Sequence, residues 1–548
     1  MSKYVIGVDY GTLSGRAVLV DVSDGRVLSS KSMDYPHGVI DRELPGGLAL
    51  PESWALEDPE DYLRVLFEIV PYVVRESGAE PEDVIGISLD TTSCTMIPVD
   101  RDNVPLCTRE ALKNNAHAWC KLWKHHGAQG QADRLTELLQ KEEPELISLY
   151  GGRISSEWMF PKLLQVYEED SEVFEAADAF LDAMDYLSIC LCGEAHASIC
   201  AASYKALYSE RGYPDGGLLE KLAPGFKAAA EQKLRFPVKK QGERAGFLTE
   251  EMARKLSLTT KTAVAVGNVD AHVSMPAAGV AKENALLMII GTSTCAMICS
   301  GKRAAPPGIC GCVKDGILPE LYGYEAGQPC VGDSLDWFVK NQIPAEYERE
   351  AEKRGINIHA LLSEKAAALK PGESGLLALD WWNGNRSVLV DARLSGLIVG
   401  LTLNTRPHEL YRALIEATAF GMRKIIDNFI LNGVAVDELY ACGGITHKNP
   451  FFMQLYADVL QREIRVSPCT QAPALGSAMY AAVAAGKENG GYATISEAAE
   501  HMADHDYIVY SPHRENYEAY DKLYELYLKL HDIFGVEHKE IMHRLKGV

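Results

Sequence analysis

Tyr4-Val5-Ile6-Gly7-Val8-Asp9, then Tyr10-Gly11-Thr12-Leu13-Ser14-Gly15-Arg16, then Ala17-Val18-Leu19-Val20-Asp21: this stretch decides the fold. Two apolar, β-branched runs flank a small polar turn, the pattern of a β-hairpin. The same pattern returns 280 residues later as Ala285 to Ile290, Gly291-Thr292-Ser293-Thr294 and Cys295 to Cys299. The two turns align as Gly-Thr-x-Ser/Thr, and the flanking strands extend the match. An internal duplication of one strand–loop–strand unit follows, one copy per domain. The chain therefore reads as α/β with two domains, over residues 1–265 and 266–548.

Working outward, Val84 to Leu89 is a short apolar strand that runs into Asp90-Thr91-Thr92-Ser93, a polar exit where α/β sheets place ligand contacts. Residues 108–150 and 156–192 carry helix formers at helical spacing and are expected to be mainly α. Thr262 to Val266 is a buried strand ending at Gly267-Asn268-Val269-Asp270. His408 to Leu431 predicts a long helix, Leu439 to Cys442 a strand, Gly443-Gly444 a turn, and Pro450 to Leu460 a helix. Arg514 to Leu545 predicts one docked terminal helix.

Length and composition fit this architecture. The chain has 548 residues, 47% hydrophobic and 24% charged, which excludes disordered, collagen-like and low-complexity classes. Its formal charge of −22 repels nucleic acid and anionic membrane, so no nucleic-acid or membrane partner is expected and an anionic substrate must be held by local donors. Thirteen cysteines, odd in number and mostly set in apolar runs, read as reduced buried thiols. Cys190/Cys192 and Cys310/Cys312 lack the second pair that zinc sites show. The start of the chain lacks a signal-peptide pattern and no apolar run can span a bilayer, so a cytoplasmic protein is expected.

The chemistry is suggested by hydroxyl-bearing turns whose backbone N–H groups can approach a phosphate, backed by carboxylates suited to Mg²⁺. No Walker loop is present, and no Gly-x-Gly occurs, which removes the dinucleotide fingerprint and the protein-kinase glycine loop. What remains is Asp9-Tyr10-Gly11-Thr12-x-Ser14-x-Arg16, Asp270-Ala271-His272, Gly291-Thr292-Ser293-Thr294, and Gly443-Gly444 with Asn449-Pro450. In order and spacing this set resembles the FGGY family of carbohydrate kinases, over almost the whole chain.

The resemblance implies two actin-like, ribonuclease H-like ATPase domains with ATP in the cleft between them, closing after sugar binds. It implies Mg²⁺ and ATP, a small-molecule sugar partner and a homo-oligomer. Asp90-Thr91-Thr92-Ser93-Cys94-Thr95, Ser156 to Leu164 and the length point within the family to the terminal hydroxyl of L-ribulose, a step of L-arabinose catabolism. Another ketopentose or glycerol is the alternative, and an actin-like ATPase without acceptor is the reading from a different class. No basic stretch or helix-turn-helix signal marks a DNA-binding sensor.

Carried over residue by residue, Asp270 becomes the general base and, with Asp9, a metal-associated carboxylate. Gly11, Thr12, Ser14 and Arg16 form the loop that meets the transferring phosphate; Gly291, Thr292 and Thr294 form the second. Gly443 and Gly444 let the backbone lie against adenosine, beside Asn449, while Gly332 and Asp336 occupy a weaker nucleotide contact where an amide is the more familiar residue. Thr92, Ser93, Lys205, Asp270 and Glu325 are the sugar contacts. Each has a plainer reading from its residue type alone: Asp270 capping a turn, Arg16 a surface cation, Thr12 a turn hydroxyl, Gly443-Gly444 a tight turn, Lys205 a snorkelling helix cation, Glu325 a cap. Trp119, Trp123 and His126 offer a sugar-packing face, although helical spacing also suits core.

Overall fold

A computed structural model describes residues 2–546. The chain folds into two compact units: residues 1–282, 313–323 and 471–504 form the first, and residues 283–312, 324–470 and 505–548 the second. The units thus divide at 282/283 rather than at the expected 265/266. The segment just after 265 explains the difference. Asn268–Val269 pairs in parallel with the central strand Val84–Thr91, and the helix that follows packs on the same sheet, so both complete the first unit.

The sheet of the first unit uses β1 (Tyr4–Tyr10), β2 (Ser14–Asp21), β3 (Val27–Asp34), β4 (Val84–Thr91), β5 (Arg244–Phe247) and β6 (Ala263–Ala265) in the order β5-β6-β4-β1-β2-β3, with β7 (Asn268–Val269) also on β4. β1/β2 and β2/β3 are antiparallel; β1/β4 and β4/β6 are parallel; β6/β5 is antiparallel. A second seven-stranded sheet repeats that plan with β8 (Ala285–Ile290), β9 (Thr294–Ser300), β10 (Gly311–Lys314), β11 (Tyr322–Gln328), β12 (Glu438–Cys442), β13 (Ile464–Val466) and β14 (Ile508–Tyr510), ordered β10-β11-β9-β8-β12-β13-β14. β8/β9 is antiparallel, β8/β12 and β12/β13 parallel, β13/β14 antiparallel. The duplication read from two four-residue turns is thus a duplication of sheet topology.

Helix α1 (Pro59–Ser77) covers β2 and β3. It starts where Asp58 accepts the Glu60 N–H and Pro59 supplies its fixed φ, and stops at Gly78 in the left-handed region, φ 69°. The helices α2 (Met159–Glu169), α3 (Ile199–Ala206) and α4 (Asp270–Ala277) belong to the same unit, as does α7 (Ala472–Ala485). α5 (Gly332–Gln342) and α6 (Pro407–Leu431) belong to the second. α7 is apolar on nearly all faces because it lies flat on β1 and β4. A Cβ at Gly7 would sit 1.9 Å from the Ala474 carbonyl oxygen, so only glycine permits that approach.

Three expectations shift. Residues 108–128 contain only a short turn of helix, Ala116–Ala118, and Cys120–Lys121 pairs as strand with Leu56–Glu57 and with Met96. Ala179–Asp182, inside the expected helical stretch 156–192, is a strand antiparallel to Met96–Val99. The terminal helix is Tyr517–Asp532, then a π-turn over Ile533–Glu537, then Glu540–Lys546. The break falls around Gly535, where a Cβ would meet the Leu389 side chain at 2.4 Å.

One buried cation makes a testable energetic point. Lys121 is fully buried; its Nζ lies 4.2 Å from the Trp54 ring centroid and has no hydrogen-bond partner among the described residues. Burial, then the charge of Lys162, pushes its pKa down to about 7. Below pH 7 the folded and unfolded chains both carry the proton and the full burial cost is present. Between pH 7 and the ordinary 10.5 the unfolded chain holds a proton the folded one has released, so stability rises with pH until the cost is gone. Lys121→Met is therefore expected to raise Tm by several °C at pH 6.5, and by much less at pH 9.5. Melts of both proteins at the two pH values check this; an equal gain at both would contradict it.

Candidate active site

In the first unit the parallel strands β1, β4 and β7 end side by side. Asp9 stands opposite Asp90 in the β1/β4 register, and Asn268 stands opposite Asp90 in the β4/β7 register, two residues before Asp270. Three carboxylates thus come from the carboxyl ends of adjacent strands, the place where open α/β sheets bind ligands. Asp90 is fully buried and accepts a 2.5 Å hydrogen bond from Ser477 Oγ on α7. Its Oδ1 has no donor among the described residues, and its carboxyl meets that of Asp9. Burial, then the charges of Asp9 and Asp270, push the Asp90 carboxyl far above the ordinary range. Asp9 is raised by burial as well, but Asp90 and Arg16 hold it down, so Asp90 is the protonated member of the pair.

Asp270 opens α4, and its Oδ1 accepts the Ala271 N–H at 2.6 Å, which sets the carboxylate plane. Gly11, Thr12 and Ser14 form the β1–β2 turn, closed by the Gly11 N–H on the Ser14 carbonyl at 3.0 Å. Tyr35 Oη donates to the Gly11 carbonyl at 2.8 Å, and Trp123 Nε1 donates to Thr12 Oγ1 at 3.1 Å. Trp123 therefore braces the turn, while Trp119 is buried core bonded to the Lys113 carbonyl. His126 pairs with Ser156 Oγ at 3.2 Å. Arg16 lies opposite Asp9 in the β1/β2 register and donates to Ser32.

The turn after β4 joins this cluster: the Thr92 N–H donates to the Tyr10 carbonyl at 3.1 Å, and Thr92 and Thr95 hydroxyls pair at 3.1 Å. Ser93 Oγ is buried and without a partner among the described residues, a hydroxyl group ready for a ligand. Lys205 is not a snorkelling surface cation. It is 9% exposed, its Nζ stands 5.8 Å from the Trp158 and Tyr204 ring centroids, and it lines a pocket with Asp182, Asp185, Met159 and Tyr213.

The second unit carries the other loop. Gly291-Thr292 lies between β8 and β9, and the N–H groups of Val331 and Asp333 donate to the Thr292 carbonyl and that of Gly332 to the Gly291 carbonyl, at 2.8, 3.2 and 3.0 Å. The start of α5 is thereby stapled to the loop. Thr294 Oγ1 is buried with no partner among the described residues. Gly443 ends β12 at φ 106°, where a Cβ would lie 2.4 Å from the Ile290 carbonyl oxygen; a Cβ on Gly444 would meet nothing within 4 Å.

Two expected contacts have side-chain partners within the protein, and a third lies on a strand. Asp336 is exposed and paired with Lys340 at 2.5 Å. Asn449 caps the helix Pro450–Leu460 through Oδ1 and donates through Nδ2 to Ser363. Glu325 is half-buried on β11, and its backbone carbonyl accepts the Cys310 N–H. Conversely, Asp90 and its bond to Ser477 had no local signal beyond the strand exit, because its partner lies 387 residues away.

As to metal, the Asp9 and Asp270 carboxylates at the neighbouring strand ends are hard oxygen donors, while protonated Asp90 is engaged by Asp9 and Ser477. Among the described residues, the one group of three His, Cys, Asp or Glu side chains with ligand atoms within 4.8 Å of one another is His37, Asp58 and Asp61. The strand-end set therefore suits Mg²⁺, which keeps waters and phosphate oxygens, rather than a closed protein cage.

Residues 4–275 match the N-terminal domain, and residues 286–485 the C-terminal domain, of the FGGY family of carbohydrate kinases. A ribulokinase of Geobacillus thermodenitrificans is 50% identical over 546 residues, 99% of this chain and 97% of that protein. A ribulokinase of Shouchella clausii is 51% identical over 548 residues, 100% and 98%. Among solved structures, a gluconate kinase from Lactobacillus acidophilus superposes with TM-score 0.82 at 20% identity, covering 99% of this chain and 100% of that one. A xylulose kinase from Rhodospirillum rubrum gives 0.79 at 22% identity, with 99% and 100% coverage. At such identity these structures speak for the fold alone.

Proposed function

This chain belongs to the FGGY family of carbohydrate kinases, and we propose that it transfers the γ-phosphoryl group of ATP to the terminal hydroxyl of L-ribulose, with Mg²⁺. It is an ATP-dependent kinase of ribulose, as about half-identity to ribulokinases over the full chain supports. The observation that carries the finer reading is the convergence of Asp9, Asp90 and Asp270 at adjacent strand ends.

In this reading Asp270 accepts the proton of the acceptor hydroxyl as that oxygen bonds to the γ-phosphorus and the bond to ADP breaks. The Ala271 N–H holds the carboxylate in position, so little reorganisation is needed. Ser93, Thr92, Lys205 and Glu325 hydrogen-bond the sugar, which penalises acceptors lacking a matching hydroxyl. Thr12, Ser14 and Arg16 meet the transferring phosphate. Gly291, Thr292, Thr294 and Gly332 cradle the remaining phosphates through backbone N–H and hydroxyl groups, and Gly443-Gly444 leaves room for the nucleoside. Asp9 and Asp270 would hold Mg²⁺ through its waters, and the ion when bound offsets charge on the phosphates. Nine of the thirteen cysteines are buried, which supports reduced thiols and a cytoplasmic setting.

ADP release in a coupled assay with ATP and Mg²⁺, against L-ribulose, D-ribulose, D-xylulose, L-xylulose, ribitol and glycerol, tests the acceptor. The highest kcat/KM is expected with L-ribulose. A preference for xylulose or glycerol would reject that acceptor, and acceptor-independent ATP hydrolysis would favour the ATPase alternative.

A further inference from the structure

The loop that carries Ser93 is gripped from behind by a pair of buried charges. Cys94, the next residue, adopts φ 64°, a left-handed conformation that a side-chain-bearing residue rarely occupies. Its N–H donates to Asp182 Oδ2 at 3.1 Å, and its carbonyl accepts from Lys162 Nζ at 2.6 Å. Lys162, on α2, is fully buried and also donates to the carbonyls of Leu122 at 2.8 Å and Lys121 at 3.3 Å. Its three N–H bonds are thus spent on three backbone carbonyls of two separate segments. Asp182, at the end of the strand Ala179–Asp182, is 1% exposed and also accepts the Met184 N–H. One residue, Cys94, is therefore held through the peptide groups on both its sides by two buried ionisable side chains.

Burying a lysine is costly, and an apolar residue with a local turn would serve the core at lower cost. What the two charges secure is one conformation of one turn. On its far side Thr92 and Thr95 hydroxyls close on each other, and between them Ser93 Oγ is left buried and without a partner.

We infer that Lys162 and Asp182 are positioning residues for the sugar acceptor: they clamp the two peptide groups that flank the Cys94 Cα, hold that residue in its left-handed turn and so fix the Ser93 hydroxyl that binds the sugar. The inference rests on the assignment of Ser93 as a sugar contact, and the test separates the two. Steady-state KM values for ribulose and for ATP are measured for Lys162→Met, for Lys162→Met with Cys94→Gly, and for Ser93→Ala.

Lys162→Met is expected to raise the ribulose KM about ten-fold or more while leaving the ATP KM within about two-fold, since only the acceptor turn loosens. Glycine at position 94 carries no left-handed penalty, so the double variant should recover about five-fold of that loss. A purely structural lysine would lower Tm without this split and without rescue by glycine. If Lys162→Met does not give folded protein, Cys94→Val carries the test, because a β-branched residue strains the same turn while both clamping charges remain; it too should raise the ribulose KM alone. A folded Lys162→Met or Cys94→Val enzyme with an unchanged ribulose KM, while Ser93→Ala raises it, would overturn the clamp and keep the Ser93 contact. An unchanged KM in Ser93→Ala would overturn both.

Discussion

Replacing Asp270 by asparagine is expected to lower kcat for ribulose phosphorylation by about 10²–10⁴-fold, the usual contribution of a positioned general base. The amide has nearly the shape of the carboxylate, and its oxygen can still accept the Ala271 N–H that opens α4, so the fold and the helix start survive. What it lacks is a lone pair basic enough to take the hydroxyl proton. ATP affinity should stay within a few-fold, because the nucleotide loops Gly291-Thr292 and Gly443-Gly444 belong to the other unit. Coupled ADP release with ribulose, together with a fluorescence titration of ATP, reads both quantities. A folded variant with near-normal turnover removes Asp270 from the base role and leaves the strand-end cluster without its proton acceptor.

Gly444→Leu is expected to raise the KM for ATP by about 10²-fold, roughly 2.7 kcal/mol of lost binding, with Tm almost unchanged. The two adjacent glycines differ in a way that matters for this experiment. Gly443 sits at φ 106° with the Ile290 carbonyl 2.4 Å from where a Cβ would stand, so any side chain there disturbs the β8/β12 pairing before a nucleotide is involved. Gly444 faces open space, and a Cβ there meets nothing within 4 Å. Its substitution therefore reports on the ligand, whereas Gly443→Ala reports first on stability. Thermal melts beside the ATP saturation curve separate the two, and an unchanged ATP KM in Gly444→Leu would place the adenosine elsewhere.

The contrast between neighbouring glycines shows how much of this site was legible in the chain and where legibility stopped. The two Gly-Thr turns, their flanking strands and the Gly-Gly turn after β12 stand within three residues of where local pattern puts them. Local pattern suffices there because β-branched runs and turn residues act over four to eight positions. The same reasoning marked Asp9, Asp270 and the Thr92-Ser93 exit, each at the end of an apolar strand. The 156–192 stretch is mainly helical as expected, but the four-residue strand Ala179–Asp182 within it has no separate mark, since a short apolar run suits either element. Asn449 and Asp336 are placed at the nucleotide by the family resemblance and not by local pattern; in the structure their side chains make a helix cap and an ion pair with Lys340.

By itself, the sequence determined an α/β chain built from a repeated strand–turn–strand unit, with acidic and hydroxyl groups at the strand exits. Only the tertiary structure decided which of those groups meet. The parallel register of β1, β4 and β7 sets Asp9, Asp90 and Asp270 together, and Ser477 reaches Asp90 from a helix that returns to the first unit after crossing the second. Lys162 and Asp182 close on the backbone of Cys94 from 68 and 88 residues away. Such contacts leave no periodic trace, because a hydrogen bond between distant residues depends on where two elements pack, and packing is a property of the whole chain.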